Sequence, residues 1–479
     1  MEQDTPQTPN SGKEPENAPQ AIVGRVQALT DQARRVRQAV VVIHGIGEQR
    51  PMDTLRGFVD AVLSDDTASG GKYRNKPDAM NELFETRCLQ SPPNHQLHRP
   101  LTDYYEYYWA HHMQGSKYTH VLSWLKGVLW RRPAMIPPAL RPVYFGSWTL
   151  ILLIASLWGW GLFDAFTGHP SFIEGLRRQI RPFSGGLLLL LLQGAGSHLV
   201  LKYLADAARY LTPSPDNIDA RVKIRGEGIK LLRTLHESGK YSRIVVVGHS
   251  LGSVIGYDII RNLWVEMRKP LVPHPRKQPE LQAFEHVIEK LEDAAVTPTA
   301  LDDYQRSQHD LWKEFRAAGI PWLITDFITL GAPLTHAQLL MADNPEDFTR
   351  KTEEYEYPIC PPNMDDPLYY HQQYQMNLGG EDVIRNVYIP NHGAPFACTR
   401  WTNLYFPYSK LIFGDLVGGP LNGVFGKGVR DLAVAPSTDR FLAGTLMSHT
   451  LYWTDGGRTG IKTSLEVLRK ALRLDFLRK

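Results

Sequence analysis

Cysteine is scarce in this chain. Its 479 residues include three cysteines, Cys88, Cys360 and Cys398, and none of them lies near another in the sequence. The number is odd, and the spacing fits neither a zinc site nor a disulfide framework. We therefore expect buried or incidental thiols, a reducing compartment and no bound metal.

The chain also lacks a large excess of charge of one sign. It has 53 basic and 50 acidic residues, so its formal net charge is +3. Proteins that bind nucleic acid usually carry a larger basic excess, so the sequence gives no reason to expect nucleic acid as a partner. With 43% hydrophobic residues, the composition is that of a globular protein. The length favours one large domain with insertions, or two to three units.

The N-terminus has no apolar run. Residues 1–20 are rich in Pro, Gln, Asn and Glu, whereas a secretory signal needs a basic start and an apolar core. The composition is typical of disorder. We expect a disordered and basic tail over residues 1–35, and no export by an N-terminal signal.

Two later stretches have almost no charged residues. Residues 143–163 contain no Asp, Glu, Lys, Arg or His, and residues 183–201 are interrupted only by Gln193 and His198 among strongly polar types. A spanning helix needs about 20 apolar residues, so both stretches are long enough. We predict a transmembrane hairpin within residues 127–210, with the lipid bilayer as partner. A pair of buried core helices or an apolar cap over the active site is the alternative.

Basic residues near the ends of these stretches predict the orientation of the hairpin. Six lie in the outer flanks and three in the link: Lys126, Arg131, Arg132, Arg141, Lys202 and Arg209 against Arg177, Arg178 and Arg181. Basic residues favour the cytoplasmic side. The sequence therefore predicts a multi-pass membrane protein with two helices and a cytoplasmic catalytic domain.

Short apolar runs alternate with helical patterns along the rest of the chain. The runs predict buried strands over residues 39–43, 243–247, 321–330 and 399–405. Apolar spacing predicts helices over residues 51–64, 220–238, 254–264 and 463–479, and a helical insertion over 270–320. Residues 343–381 are expected to be irregular. This alternation predicts an α/β fold with a mostly parallel sheet and helices on both faces, in two parts, 36–126 and 211–479.

A candidate nucleophile follows the second apolar run. The segment Gly248-His249-Ser250-Leu251-Gly252 lies between that run and a helical pattern. A sharp turn from strand to helix exposes a strained serine, and its neighbours must be small because the helix packs close to the strand. We therefore predict that Ser250 is a nucleophile and that Gly248 and Gly252 shape its turn.

An earlier turn is suited to stabilise an oxyanion. His44-Gly45-Ile46-Gly47 follows the first apolar run, where the second half of an oxyanion hole is expected. The backbone N–H groups of Ile46 and Leu251 are the two predicted donors. We expect His44 and His249 to support their own turns by hydrogen bonding and to take no part in proton transfer.

Three segments together resemble the lipase and esterase branch of the α/β-hydrolase superfamily. They are Val41-Val42-Ile43-His44-Gly45, Val246-Val247-Gly248-His249-Ser250-Leu251-Gly252 and Thr329-Leu330-Gly331-Ala332-Pro333. The resemblance covers residues 38–65 and 220–260 well and 320–455 loosely. It does not cover the predicted hairpin or residues 270–320. It implies the α/β-hydrolase fold and a nucleophile, acid and histidine in that chain order.

This order implies the remaining two members of a triad. His449, in Met447-Ser448-His449-Thr450-Leu451-Tyr452-Trp453, is the histidine that follows the last predicted strand. Asp415, in Gly414-Asp415-Leu416-Val417-Gly418, resembles the acid turn of family members. Asp431 and Asp439 are rival acids, and Asp258 is expected to be structural.

The expected function is therefore that of a serine hydrolase. It would cleave carboxylic esters through an acyl-enzyme, with no metal or organic cofactor. Membrane attachment would favour a lipid ester as substrate. One alternative is a catalytically inactive, membrane-tethered binding or scaffold protein on a hydrolase fold. Another is an acyltransferase that uses the same triad.

Overall fold

A computed structural model describes most of the chain outside the N-terminus and the predicted hairpin. The described residues are 37–46, 50–64, 73–80, 83, 85–94, 96–113, 129–137, 140–141, 144–149, 151–152, 155–156, 209–211, 215–269, 278–293, 296–364, 367–379, 381–408, 414–438, 446–457 and 460–475. The predicted tail at residues 1–35, Gly47 and Asp439 lie outside these ranges.

A sheet of eight strands forms the centre of the fold, in the order β10-β9-β6-β5-β1-β4-β3-β2. The strands are β1 (Arg37–Ile43), β2 (Arg74–Pro77), β3 (Arg87–Ser91), β4 (Leu101–Tyr107), β5 (Arg243–His249), β6 (Ile324–Leu330), β9 (Arg400–Tyr405) and β10 (Arg430–Ala433). Neighbouring strands are parallel from β10 to β4, and β3 and β2 are antiparallel additions at one edge. A separate antiparallel hairpin pairs β7 (Tyr369–Leu378) with β8 (Glu381–Pro390).

Nine α-helices whose bounds lie within the described residues accompany these strands. They are α1 (Asp53–Val62), α2 (Pro215–Glu237), α3 (Leu251–Met267), α4 (Pro279–Asp293), α5 (Pro298–Ala317), α6 (Ala337–Leu340), α7 (Pro345–Glu353), α8 (Asn422–Phe425) and α9 (Ser464–Leu472). Both α4 and α5 lie within the predicted helical insertion.

Helices cover both faces of the sheet. Successive residues of a strand point to opposite faces, so Val41 of β1 enters one core while Val40 and Val42 enter the other. The first core also contains apolar residues of α2, α3, α4 and α5. The second contains residues of α1 and α9, including Phe58 and Leu468. The predicted α/β fold with a mostly parallel sheet is therefore confirmed.

The predicted membrane location is wrong for the part of the chain that can be assessed. None of the helices among the described residues combines the length and the apolar composition that a bilayer crossing requires. This finding contradicts a protein with two membrane-spanning helices. Of the first predicted span the structure describes residues 144–149, 151–152 and 155–156, and the second span, 183–201, lies outside the described residues.

Regular structure also occurs where the sequence predicted none. The segment expected to be irregular contains α7 and β7, with Asn344 capping α7 by accepting a hydrogen bond from the Asp347 N–H. The C-terminal helix is shorter than predicted, because α9 ends at Leu472 and Arg473 adopts the left-handed conformation at φ 47°. A left-handed residue is a common helix terminator.

Candidate active site

Ser250 lies at the turn between β5 and α3 in a strained backbone conformation. Its φ is 53° and its ψ is −128°, which few residues with a side chain adopt. The Ser250 N–H donates to the Leu330 carbonyl at the end of β6, at 2.9 Å. Surrounding structure must hold such a conformation, and functional sites are where it is usually found.

Two glycines let the turn that contains Ser250 pack against the neighbouring backbone. A Cβ on Gly252 would overlap the carbonyl oxygens of Ile43 and His44, at the end of β1. A Cβ on Gly248 would lie 2.6 Å from the Cα of Ser253. Both neighbours are backbone atoms that cannot move aside, so these positions require the absence of a side chain.

The residues that carry the two predicted oxyanion donors are both next to a residue of close contact at this turn: Ile46 follows Gly45, and Leu251 follows Ser250. A Cβ on Gly45 would lie 2.8 Å from the Cβ of Ser250, which places the turn containing Ile46 directly beside the serine. Leu251 is the first residue of α3, and the first N–H groups of a helix have no acceptor within it. The helix dipole adds partial positive charge at the same place.

His44 supports the turn that contains Ile46. Its Nδ1–H donates to the Gly45 carbonyl at 2.8 Å, and its Nε2 accepts the Trp109 N–H at 3.3 Å. This tautomer is assigned from the hydrogen-bond partners. Burial lowers the pKa of His44 to about 4, so the ring is neutral near pH 7. Both ring nitrogens are therefore used in hydrogen bonds to backbone groups.

His249 connects the turn that contains Ser250 to the segment that contains His449. Its Nε2–H donates to the His449 carbonyl at 2.8 Å, and the two rings lie 5.1 Å apart. Burial, followed by the charge of His449, lowers the pKa of His249 to about 3. His249 is therefore neutral near pH 7, and its Nε2–H is used in the contact with the His449 carbonyl.

Asp415 and His449 form a hydrogen-bonded pair. Asp415 lies in the loop after β9 and is fully buried, and its Oδ2 accepts the His449 Nδ1–H at 2.8 Å. The same oxygen accepts the Tyr452 hydroxyl at 2.8 Å, and Oδ1 accepts the Val417 N–H at 2.9 Å. Burial alone would raise the pKa of Asp415, but the hydrogen bonds and the charge of His449 outweigh it and lower that pKa.

The pair uses Nδ1 of His449, and the environment of the other imidazole nitrogen is different. Its Nε2 is buried and has no hydrogen-bond partner among the described residues. The ring lies beside Gly331, where a Cβ would be 3.0 Å from the His449 Cε1. Gly331 directly follows Leu330, whose carbonyl accepts the Ser250 N–H. The structure therefore brings the serine turn, the imidazole and the carboxylate to the carboxyl edge of β5 and β6.

The rival acids lie in other environments. Asp431 accepts hydrogen bonds from the N–H groups of Leu421 and Asn422 at 2.9 and 2.8 Å, and so supports a turn. Asp258 lies in an ion pair with Arg225 at 2.6 Å. The placement of Asp439 is not described. Asp431 is therefore the one rival that can be placed, and it does not hydrogen-bond to His449; the ion pair of Asp258 agrees with its expected structural place.

Sequence reasoning missed two residues that support the acid. Tyr452 donates to Asp415 and also accepts the Phe406 N–H at 3.2 Å. His336 donates from Nε2 to the Leu416 carbonyl at 3.1 Å, next to the acid. The sequence offered only the spacing of Tyr452, three residues after His449, and the 3₁₀ segment Leu446–Thr450 ends between the two.

Comparison with protein-family models, with curated protein sequences and with solved structures gave no match. The functional argument therefore depends on the geometry of the site.

Proposed function

We propose that this protein is a serine hydrolase of the α/β-hydrolase type that cleaves carboxylic esters. One observation carries the proposal: a buried Asp415–His449 pair lies next to a strained serine turn, with the imidazole Nε2 unoccupied. A serine hydroxyl is a weak nucleophile, and an imidazole oriented by a carboxylate is a common means of activating it.

In the proposed reaction, His449 Nε2 takes the proton of Ser250 while Oγ attacks the ester carbonyl carbon. Asp415 holds the tautomer of His449 and stabilises the imidazolium that forms. His449 then gives its proton to the leaving alcohol, which departs and leaves Ser250 acylated. Water attacks the acyl group, with His449 again as base, and free Ser250 is restored.

The negative charge on the carbonyl oxygen is stabilised by the N–H groups of Ile46 and Leu251. Each such donor contributes roughly 3 kcal/mol to the transition state in serine hydrolases. The close approach of Gly45 to Ser250, where a Cβ on Gly45 would lie 2.8 Å from the Ser250 Cβ, supports the assignment of the neighbouring Ile46 N–H as one of the two donors.

The proposal names carboxylic esters in general as substrates. The expectation of a lipid ester depended on a membrane location, which the structure contradicts. An acyltransferase would use the same acyl-enzyme and differ in the acceptor that replaces water. The decisive first test therefore addresses the acyl-enzyme nucleophile.

The test compares variants with the wild-type protein by two measurements: labelling by a fluorophosphonate and turnover of a short p-nitrophenyl ester. Ser250→Ala should lose all labelling, and its kcat should fall by on the order of 10⁶-fold. Ser242→Ala is the matched control. Ser242 lies just before β5, at the opposite end of the strand that carries Ser250, and its hydroxyl bonds the Arg37 carbonyl.

The control variant should retain both labelling and turnover. Wild-type labelling in Ser250→Ala would show that the nucleophile is another residue. Failure of the folded wild-type protein to react with the probe would favour a binding or scaffold protein on this fold.

A further inference from the structure

Two histidines and a glutamate converge at a place distinct from the proposed triad. His111 and His112 lie in a short 3₁₀ segment, Ala110–Met113, that follows β4, and Glu227 lies on α2. One ligand atom from each of the three residues lies within 4.8 Å of the others. His112 Nε2 is 2.7 Å and His111 Nε2 is 3.6 Å from the Glu227 Oε2.

These distances suit a small divalent ion. Zinc binds imidazole nitrogen and carboxylate oxygen at about 2.0–2.2 Å in tetrahedral sites, so that ligand atoms lie about 3.4 Å apart. Both observed separations are within 1 Å of this value. The side chains of His111 and His112 are 27% and 11% exposed, and that of Glu227 is 45% exposed. The ion would have three protein ligands and an open position for water.

The backbones that carry these ligands are held together independently of any ion. The Tyr107 hydroxyl at the end of β4 donates to the Ile224 carbonyl on α2. A Cβ on Gly228 would lie 3.0 Å from the Tyr107 ring, so the helix and the strand end are in close contact. Glu227 precedes this glycine, and His111 stacks on Tyr108 with the rings 11° from parallel. The three ligands therefore start from restricted positions, which reduces the entropy lost on binding.

We propose that His111, His112 and Glu227 bind one divalent transition-metal ion of the zinc class. The ion joins the segment after β4 to α2 and so stabilises the folded chain, because a ligand that binds the folded state alone adds to its stability. The site takes no step in the ester hydrolysis proposed above. The cysteines compete poorly for such an ion: all three are buried, and burial raises the pKa of Cys88 and of Cys360 to about 12.

The experiment titrates the full-length, chelator-treated protein with Co²⁺ and follows visible absorption, and then displaces Co²⁺ with Zn²⁺. Wild type should saturate at one equivalent, and Zn²⁺ should raise the melting temperature. Glu227→Gln and His111→Gln should each weaken binding at least about tenfold, since even indirect partners of a metal ligand contribute this much.

A second histidine–glutamate pair provides the control. His286 and Glu289 lie 3.4 Å apart on α4, where both are exposed. Glu289→Gln should bind the metal as wild type does. Wild-type affinity in both ligand variants would overturn the proposal, and so would an absence of Co²⁺ and Zn²⁺ binding by the wild-type protein.

Glu227 is exposed enough for Gln to be tolerated, and His111→Gln provides an independent second variant. Neither result depends on Ser250, so fluorophosphonate labelling tests the hydrolase proposal separately.

Discussion

At the scale of single residues, the environment of Asp415 is what makes it suited to orient an imidazole. A fully buried carboxylate is unfavourable unless its oxygens accept several hydrogen bonds. Asp415 accepts them from His449, Tyr452 and Val417. The lowered pKa that results keeps it ionised in the native state. An ionised Asp415 accepts a hydrogen bond from His449 Nδ1–H, and the proposed mechanism uses the other nitrogen, Nε2, as the base.

Asp415→Asn tests this dependence. An amide can donate to Nδ1, which favours the wrong tautomer of His449, so kcat for the p-nitrophenyl ester should fall on the order of 10⁴-fold with the fold retained. The control is Asp431→Asn, because Asp431 supports a turn after the same strand. Equal losses in the two variants, or a loss confined to Asp431→Asn, would show that the acid is misassigned.

The sequence allowed much of this site to be predicted, because the motif residues are close together along the chain. Ser250 and its glycines lie in one segment, and the family order pointed to Asp415 and His449, whose side chains the structure brings to 2.8 Å. Their catalytic roles stay predictions. Tyr452 could not be found this way, because its role depends on a contact with Asp415 across 37 positions.

At the scale of elements, runs of β-branched residues made some strands predictable, whereas β4 was not predicted. Both β1 and β5 are rich in β-branched residues and were predicted. Strand β4 carries Asp103 and Glu106, and both are fully buried. Asp103 is satisfied by Tyr241 and Gln90, each at 2.7 Å. Such partners come from distant parts of the chain, so the polar sequence of β4 gave no local signal of a buried strand.

Helix α2 offers a comparison between two glycines on one helix. Gly226 is exposed, and a Cβ there would meet no atom within 4 Å. Gly228 faces β4 and α3, where a Cβ would overlap the Ile259 side chain and lie 3.0 Å from the Tyr107 ring. The same substitution should therefore have opposite effects two residues apart.

We expect Gly226→Ala to raise the free energy of unfolding by about 0.5–1 kcal/mol, because alanine is the better helix former. Gly228→Ala should lower it by about 1–3 kcal/mol through overpacking. Chemical denaturation of both variants measures the difference. Stabilisation by Gly228→Ala would mean that α2 lies further from β4 than the structure places it.

At the scale of the whole molecule, buried neutral histidines connect stability to pH. Burial lowers the pKa of His236 from its ordinary 6.5 to about 4, and that of His44 likewise to about 4. Between about pH 4 and pH 6.5, each of these histidines binds a proton in the unfolded chain but not in the folded chain. Stability therefore rises with pH across this window and is lost as the pH falls from about 6.5 to 4. This window lies mostly above the range in which carboxylates titrate.

His236→Phe tests the pH dependence at one of these positions. His236 packs against Trp322 with ring centroids 5.5 Å apart, and its Nε2 has no partner among the described residues. Phe can fill the same volume and takes no proton. Between pH 6.5 and 5 the wild-type protein should lose about 1.5 kcal/mol more of its unfolding free energy than the variant does.

Urea denaturation at the two pH values measures this difference, and His286→Asn at an exposed position should behave as wild type. A parallel decline in wild type and His236→Phe would show that His236 titrates as it does in the unfolded chain.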